Sequence, residues 1–310
     1  MISDLLSATV IIGIISSGIR LATPYLFASI GEMFGQRSGV LNLGVEGQML
    51  LGSFVAFYVT LETNNVWLGV LAAMGVGALM GLAMAFVTIN LHATQGISGI
   101  GFYLFGMGMS NLLFQKLVGT VEGVKGFQKI SVPLLGKIPV IGEIFFNHNA
   151  LVYLAFLLVP VAWFVLNKTT LGLKIRAVGE NPEAVDSLGV SVAGIRYLTV
   201  IMGGVFSGIA GASLSIALLN VFQQNMTAGQ GFIAVALVYF GGWKPFGILG
   251  GALLFSMINA LQLWIQVLGI PIPAELAVMM PYILTILVLT LSVSKGQGPS
   301  ALTKVFEREG

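Results

Sequence analysis

The sequence predicts an all-α fold, a polytopic transmembrane helical bundle, and three observations carry that prediction. Only 8% of the 310 residues are charged, against about 25% in a soluble domain. Mean hydropathy is +0.97, and continuous apolar runs of roughly 16–24 residues recur, the length a spanning helix needs. Glycine fills 41 positions, nearly double its ordinary share of about 7%. Small residues let helix backbones approach where lipid gives no hydrophobic drive to associate. The strand-type alternation of an outer-membrane barrel is missing.

The chain divides into eight to ten expected spans. Residues 5–30 are one apolar region interrupted by Arg20 and Pro24, read either as a single kinked span or as a span plus a partial helix. Residues 31–39 read as a short polar break, and 40–60 re-enter the membrane carrying Asn42, Glu46 and Gln48. Asn64 and Asn65 mark a turn before 66–89, a clean span with Gly77 and Gly81 four apart. A polar loop at 90–95 leads into the span 96–114, and 115–149 is a long connection with four lysines. Residues 151–166, 197–219, 246–267 and 274–291 are further spans. Residues 231–240 are apolar but too short to cross. They read as a re-entrant half-helix, tolerated at membrane depth only when buried in protein or lining a wet cavity. Residues 292–310 form a polar tail, and no internal repeat stands out, since GALMG and GALLF are cheap matches in so glycine-rich a chain. The whole of 1–310 reads as one transmembrane domain.

Charge collects in one place. The interval 167–196 holds Lys168, Lys174, Arg176, Glu180, Glu183, Asp186 and Arg196, 7 of 26 charged residues (14 basic plus 12 acidic). Lys and Arg in short loops mark the cytoplasmic side, which puts this loop inside, although the lysines of 115–149 then fall outside against the rule. Within the loop, Asn181 is a good N-cap, Pro182 suits the first helical position and Glu183 the positive helix end. Residues 182–188 are expected to form a short helix stopped by Gly189, with Ala184, Val185 and Leu188 as an apolar stripe and Asp186 polar. Such a helix beneath the bilayer is either a docking element for a soluble partner or an ordinary surface turn.

Several function classes are excluded. A net charge of +2 on scattered basic residues gives no nucleic-acid surface, and zero cysteines remove disulfides and thiolate chemistry. His92 has no second ligand at metal spacing. No GxxxxGK[ST] is present, so the chain does not hold ATP through a P-loop. The apolar N-terminus lacks a basic n-region and reads as a retained span, not a signal peptide. Glu46 is the sharpest local oddity, because an ionisable group within a span is costly and usually faces a bundle interior or aqueous path. Asn42 and Glu46, four apart, are expected on one helix face, contacting cargo or a gate together with Gln48, Phe102 and Tyr103. The alternative is that Gly44 and Gly47 break the helix, leaving Glu46 to cap backbone or pair with Arg37. Only Glu46 qualifies as an intramembrane coupling charge, which leaves an ion-driven secondary transporter poorly supported.

Three blocks carry a resemblance. ENPEAVDSLGVSVAGIRYLTVIMGGVFSGIAGA resembles the coupling-loop signature of ABC importer permeases of the branched-chain amino acid/ribose type, with Gly203, Gly204, Ser207, Gly208, Ala210 and Gly211 in its small-residue helix. QRSGVLNLGVEGQMLLG and GFIAVALVYFGGWKPFGILGGALLF resemble the nucleoside/simple-sugar subgroup. Val185 departs from the pattern where a second Ala is common, a change expected at the packing surface with an ATPase. The resemblance implies a non-enzymatic translocation subunit in a bacterial cytoplasmic membrane, most similar to nucleoside importers, with simple sugars as the alternative cargo. It implies a second homologous permease, ATPase subunits holding ATP-Mg, and an extracytoplasmic substrate-binding lipoprotein. Arg176 and 181–189 would be its contact with the ATPase, with Glu183 and Asp186 supplying polar contacts.

Overall fold

A computed structural model describes residues 7–131, 136, 138–269 and 298–307, together with single positions between 273 and 290. Among the described residues there are eleven helices, α1 Ala8–Arg37, α2 Val45–Thr63, α3 Val66–Ala85, α4 Gln95–Leu117, α5 Ile141–Phe145, α6 Ala150–Lys168, α7 Thr170–Glu180, α8 Pro182–Ser187, α9 Val192–Ser213, α10 Gln230–Phe240 and α11 Pro245–Val267. Helices α3 and α9 each run on into a π-helical turn, Phe86–Asn90 and Leu214–Leu218. Six of these helices are long and apolar enough to cross a membrane, at 19 to 29 residues. Helix α2 has the length, 19 residues, but dilutes its apolar surface with Glu46, Gln48 and Glu62. The expected span 274–291 lies outside the described residues.

Helix α9 is the axis of the bundle, packed against α3, α1 and α2. Its small residues explain how. A side chain at Gly204 would run into the Gly77 carbonyl, and one at Gly208 into the Ala73 carbonyl. The Gly77/Gly81 row therefore meets the glycines of α9 directly, at a separation only glycine allows. On its other side α9 receives α2, where Ser53 Oγ donates to Gly211 O at 2.8 Å. Helix α1 joins this centre to α10, α11 and α6. Helix α4 contacts mainly α2 and keeps Ile97, Ile100, Leu104, Phe105 and Leu112 exposed, a face suited to lipid or a second subunit.

One sequence expectation is corrected here. Residues 31–39 are not a polar break: α1 continues to Arg37 through Pro24. Gly31 and Gly35 serve close packing, Gly31 sitting where a side chain would come within 2.8 Å of Phe206 Cβ. Glu32 and Gln36, four apart, join each other inside the helix at 3.0 Å. The connection 115–149 stands as a connection between long helices, and its described residues include α5 and a two-stranded antiparallel pair, β1 Ile130–Ser131 and β2 Asn147–His148.

Candidate functional site

Two places concentrate polar groups: a buried carboxylate system in the bundle, and the charged end where α1, α6, α7, α8, α9 and α11 meet. In the first, Glu46 stands in the opening turn of α2, after Gly44 as N-cap. It is buried, and its carboxylate reaches a second helix start. Oε1 accepts from Thr227 Oγ1 at 2.5 Å and Gly229 N at 2.8 Å, and Oε2 from Gly231 N at 2.6 Å. Gly229 is the N-cap of α10, at φ +86°. One carboxylate thus lies at the N-termini of two helices, where backbone amides are unsatisfied and the dipole favours negative charge. Gly231 is required: a Cβ there would lie 2.5 Å from Glu46 Cα.

Helix α10 has 11 residues, too few to span about 30 Å of hydrocarbon at 1.5 Å each. It is the short half-helix the sequence suggests. The Glu46 clasp satisfies backbone amides that the start of α10 would otherwise leave bare in the bundle interior. Of the alternatives for Glu46, backbone capping is what the geometry displays, on α10 instead of its own helix. No Arg37 pair forms, because Arg37 donates to Trp243 O from Nε at 3.0 Å and from Nη2 at 2.9 Å.

Asn42 does not share a helix face with Glu46, since 40–44 is a non-helical connector. Its side chain instead shapes that connector, accepting from Gly44 N at 2.8 Å and donating to Gln48 Oε1 at 3.3 Å. Asn42 N donates to Glu32 Oε1 at 3.0 Å. Gln36 Oε1 accepts from Trp243 Nε1 at 2.8 Å. Glu32 is therefore a second buried carboxylate inside a long apolar helix, in a stretch that reads from sequence as a polar break. Asn42, Glu46 and Gln48 are all closed to solvent in this conformation. Phe102 and Tyr103 are half-buried, and Tyr103 meets Phe232 of α10 edge-to-face at 5.3 Å.

At the charged end, α8 is built as its sequence suggests. Asn181 Oδ1 accepts from Ala184 N at 3.0 Å, Pro182 opens the helix and Gly189 leaves it at φ +78°. The expected apolar stripe splits, however. Val185 turns inward onto Val178, Val192 and Phe306, whereas Ala184 and Leu188 point out, Leu188 at 82% exposure. The Val185 departure is thus absorbed by internal packing and leaves the outer surface of α8 unchanged. Glu183 is exposed, and Asp186 lines a cleft with Arg196, His92 and Glu307. The residues before α8, which read from sequence as a polar loop, form a helix, α7, whose first turn is capped by Thr169 Oγ1 accepting from Gly172 N at 3.1 Å.

A strap formed by 298–307 ties this end together. Ala301 N donates to Gly179 O at 2.8 Å and Thr303 N to Gly39 O at 3.1 Å. Ser300 Oγ donates to Glu180 Oε2 at 2.9 Å. Buried Arg196 bridges Ser38 O and Lys304 O, both at 3.2 Å. The strap so connects α7 and α8 to the end of α1, whose last turns hold Glu32 and Gln36. No group of three or more metal-ligating side chains occurs among the described residues.

A multi-span bundle with a clasped half-helix inside and a capped, outward-facing short helix at its charged end has the architecture of a membrane transport component. The chain belongs to the family described as branched-chain amino acid transport system / permease component, which matches residues 14–289. It is 41% identical to the "Putative glucose ABC transporter permease protein TsgC13" of Haloferax volcanii, covering 96% of this chain and 98% of that one. It is 38% identical to the guanosine ABC transporter permease protein NupQ of Bacillus subtilis, over 90% and 92%. It is 37% identical to the nucleoside ABC transporter permease protein NupC of Lactococcus lactis, over 93% and 94%. No solved structure matches the chain. The protein is a multi-pass permease component of an ABC transporter, and not itself an enzyme.

Proposed function

We propose that this chain is the translocation subunit of an ATP-driven, binding-protein-dependent importer in the cytoplasmic membrane, with nucleosides as cargo. The observation that carries the reading is α8: capped at Asn181, anchored by Val185 and offering Glu183 and Leu188 outward. Such a helix transmits force because its inner side chain is packed while its outer surface is free. Arg176, Asn181, Pro182, Glu183, Ala184, Val185, Asp186, Leu188 and Gly189 form the coupling region. Its partner is an ATPase holding ATP-Mg, and a second homologous permease and an extracytoplasmic substrate-binding lipoprotein complete the assembly.

Nucleoside cargo is supported by the names of NupQ and NupC and by an aromatic wall suited to a planar base, Tyr103 against Phe232 with Phe102 adjacent. Aromatic faces stack bases. Asn42, Glu46 and Gln48 support that wall by holding α2 and α10 in place. Simple-sugar cargo is the second reading, favoured by the likeness to TsgC13. Uptake of radiolabelled guanosine and glucose by cells expressing the complete transporter separates the two. ATP depletion should stop uptake and an uncoupler should spare it. Uptake that instead collapses with the uncoupler alone would point to ion-driven carriage, for which Glu32 and Glu46 would be the sites.

A further inference from the structure

At the charged end, beside α8 and sharing Arg176 with the coupling region, a cleft of about 420 Å³ opens between the C-terminus of α6 and the start of α11. Arg37, Arg176 and Lys244 line it, with Trp163 and Phe246 at its edge. These cations are poorly neutralised. Arg176 Nε is buried without a hydrogen-bond partner, and Arg176 lies within electrostatic reach of like-charged Arg37. The nearby acid, Glu180, also serves Ser300 at 2.9 Å. Lys244, the N-cap of α11, offers no side-chain cap, so the positive end of a 23-residue helix adds to the same field. A buried guanidinium nitrogen beside a second cation is costly unless an anion joins them.

We propose that this cleft binds the phosphate-bearing headgroup of an anionic phospholipid from the leaflet bordering the charged end. Phosphate is the chemistry a guanidinium fork and an ammonium recognise together. The surroundings select lipid over a free anion. Trp163 is 39% exposed and Phe246 53%, their rings 6.4 Å apart, on the outer faces of α6 and α11, two of the helices long and apolar enough to cross a membrane. Lys168 Nζ lies 5.9 Å over the Trp163 ring. Tryptophan with lysine at a helix end is the pattern of the membrane interface, and basic pockets between spanning helices are where lipid headgroups lodge. A headgroup seated there would pin α7 beside α6 and so set the base from which α8 projects.

The test is native mass spectrometry of the intact transporter released from nanodiscs of phosphatidylcholine containing phosphatidylglycerol. Wild-type protein should retain phosphatidylglycerol in preference to phosphatidylcholine. The Arg176→Gln/Lys244→Gln pair should lose about tenfold or more of that retention, at roughly 1 kcal/mol for each cation near a charged surface. Lys174→Gln, which removes an exposed cation of α7 outside the cleft, should leave it unchanged. If the pair misassembles, exposed Lys244→Gln alone should still lower retention severalfold. Equal retention by the cleft variants overturns the proposal, as does equal retention of phosphatidylcholine. Displacement of the lipid by inorganic phosphate would make this a free-anion site instead. Loss of the lipid whenever the ATPase is bound would assign the cations to that subunit's carboxylates.

Discussion

The Glu46 carboxylate accepts the Gly231 amide at 2.6 Å across 185 residues of chain, and this bond joins the start of α2 to the start of α10. Both partners are specified closely: the acid supplies acceptors to three donors, and the glycine leaves room for it. Glu46→Gln keeps the size but turns one acceptor into a donor facing donors. The expected cost is about 1–3 kcal/mol, seen as a lower thermal midpoint of the detergent-purified protein together with reduced uptake. Gly231→Ala should be at least as damaging. Unchanged midpoint and uptake in Glu46→Gln would remove the clasp from the account.

The α3–α9 contact makes a second prediction. Gly204 meets Gly77 without space for a methyl group, whereas Gly75, on the same helix as Gly77, has nothing within 4 Å of where a Cβ would stand. Gly204→Val should destabilise by about 1–3 kcal/mol or more through overpacking, and Gly75→Ala should stay within about 0.5 kcal/mol of wild type. Thermal unfolding of the two variants in one detergent makes the comparison. Equal midpoints would mean the helices do not meet through these glycines.

The strap gives a third. Phe306 packs on Val185 and Val192 beneath α8, and Arg196 holds Lys304 O and Ser38 O together. Phe306→Ser should loosen α8 against α1, read as faster hydrogen exchange across 178–190 and as ATP hydrolysis that no longer tracks uptake. Exchange there equal to wild type would show that α8 stands without the strap.

How much of this was legible beforehand depends on the range of the interaction. The spans follow from apolar length, and α8 from Asn181, Pro182 and Gly189, because caps act within a few residues. The short α10 is legible from the length of its apolar run, too short to cross. What failed was long-range. Residues 31–39 look polar in isolation, but Glu32 and Gln36 find partners at Asn42 and Trp243, so the helix runs on. The inward turn of Val185 depends on Val178, Val192 and Phe306, which no local periodicity brings together. Glu46 stands out as an anomaly in the sequence, while its partners carry no mark of their own: Thr227 and Gly229 precede α10, and Gly231 opens the apolar run 231–240.

His148 gives a prediction in pH. It is buried beside α6, with Nε2 2.7 Å from Ile144 O. Burial first, then Arg20 and Lys129, hold its pKa below the usual 6.5 against the opposing pull of the Ile144 carbonyl. The unfolded segment therefore binds the proton more readily, so the stability His148 contributes is present above about pH 6.5 and lost as pH falls. Hydrogen exchange at 141–149, corrected for its intrinsic pH dependence, should rise on acidification in wild type and much less in His148→Gln. A rise of equal size in both would place the sensitivity elsewhere.

If α8 is the face through which a partner ATPase moves the bundle, a single introduced thiol can report on it, because the chain contains no cysteine. Leu188→Cys should crosslink to the co-expressed ATPase subunit and be shielded in intact cells from a membrane-impermeant maleimide, while Leu112→Cys on α4 should give no such crosslink. Labelling of Leu188→Cys from outside the cell, or its failure to crosslink to the ATPase in an assembled and active transporter, would contradict the account.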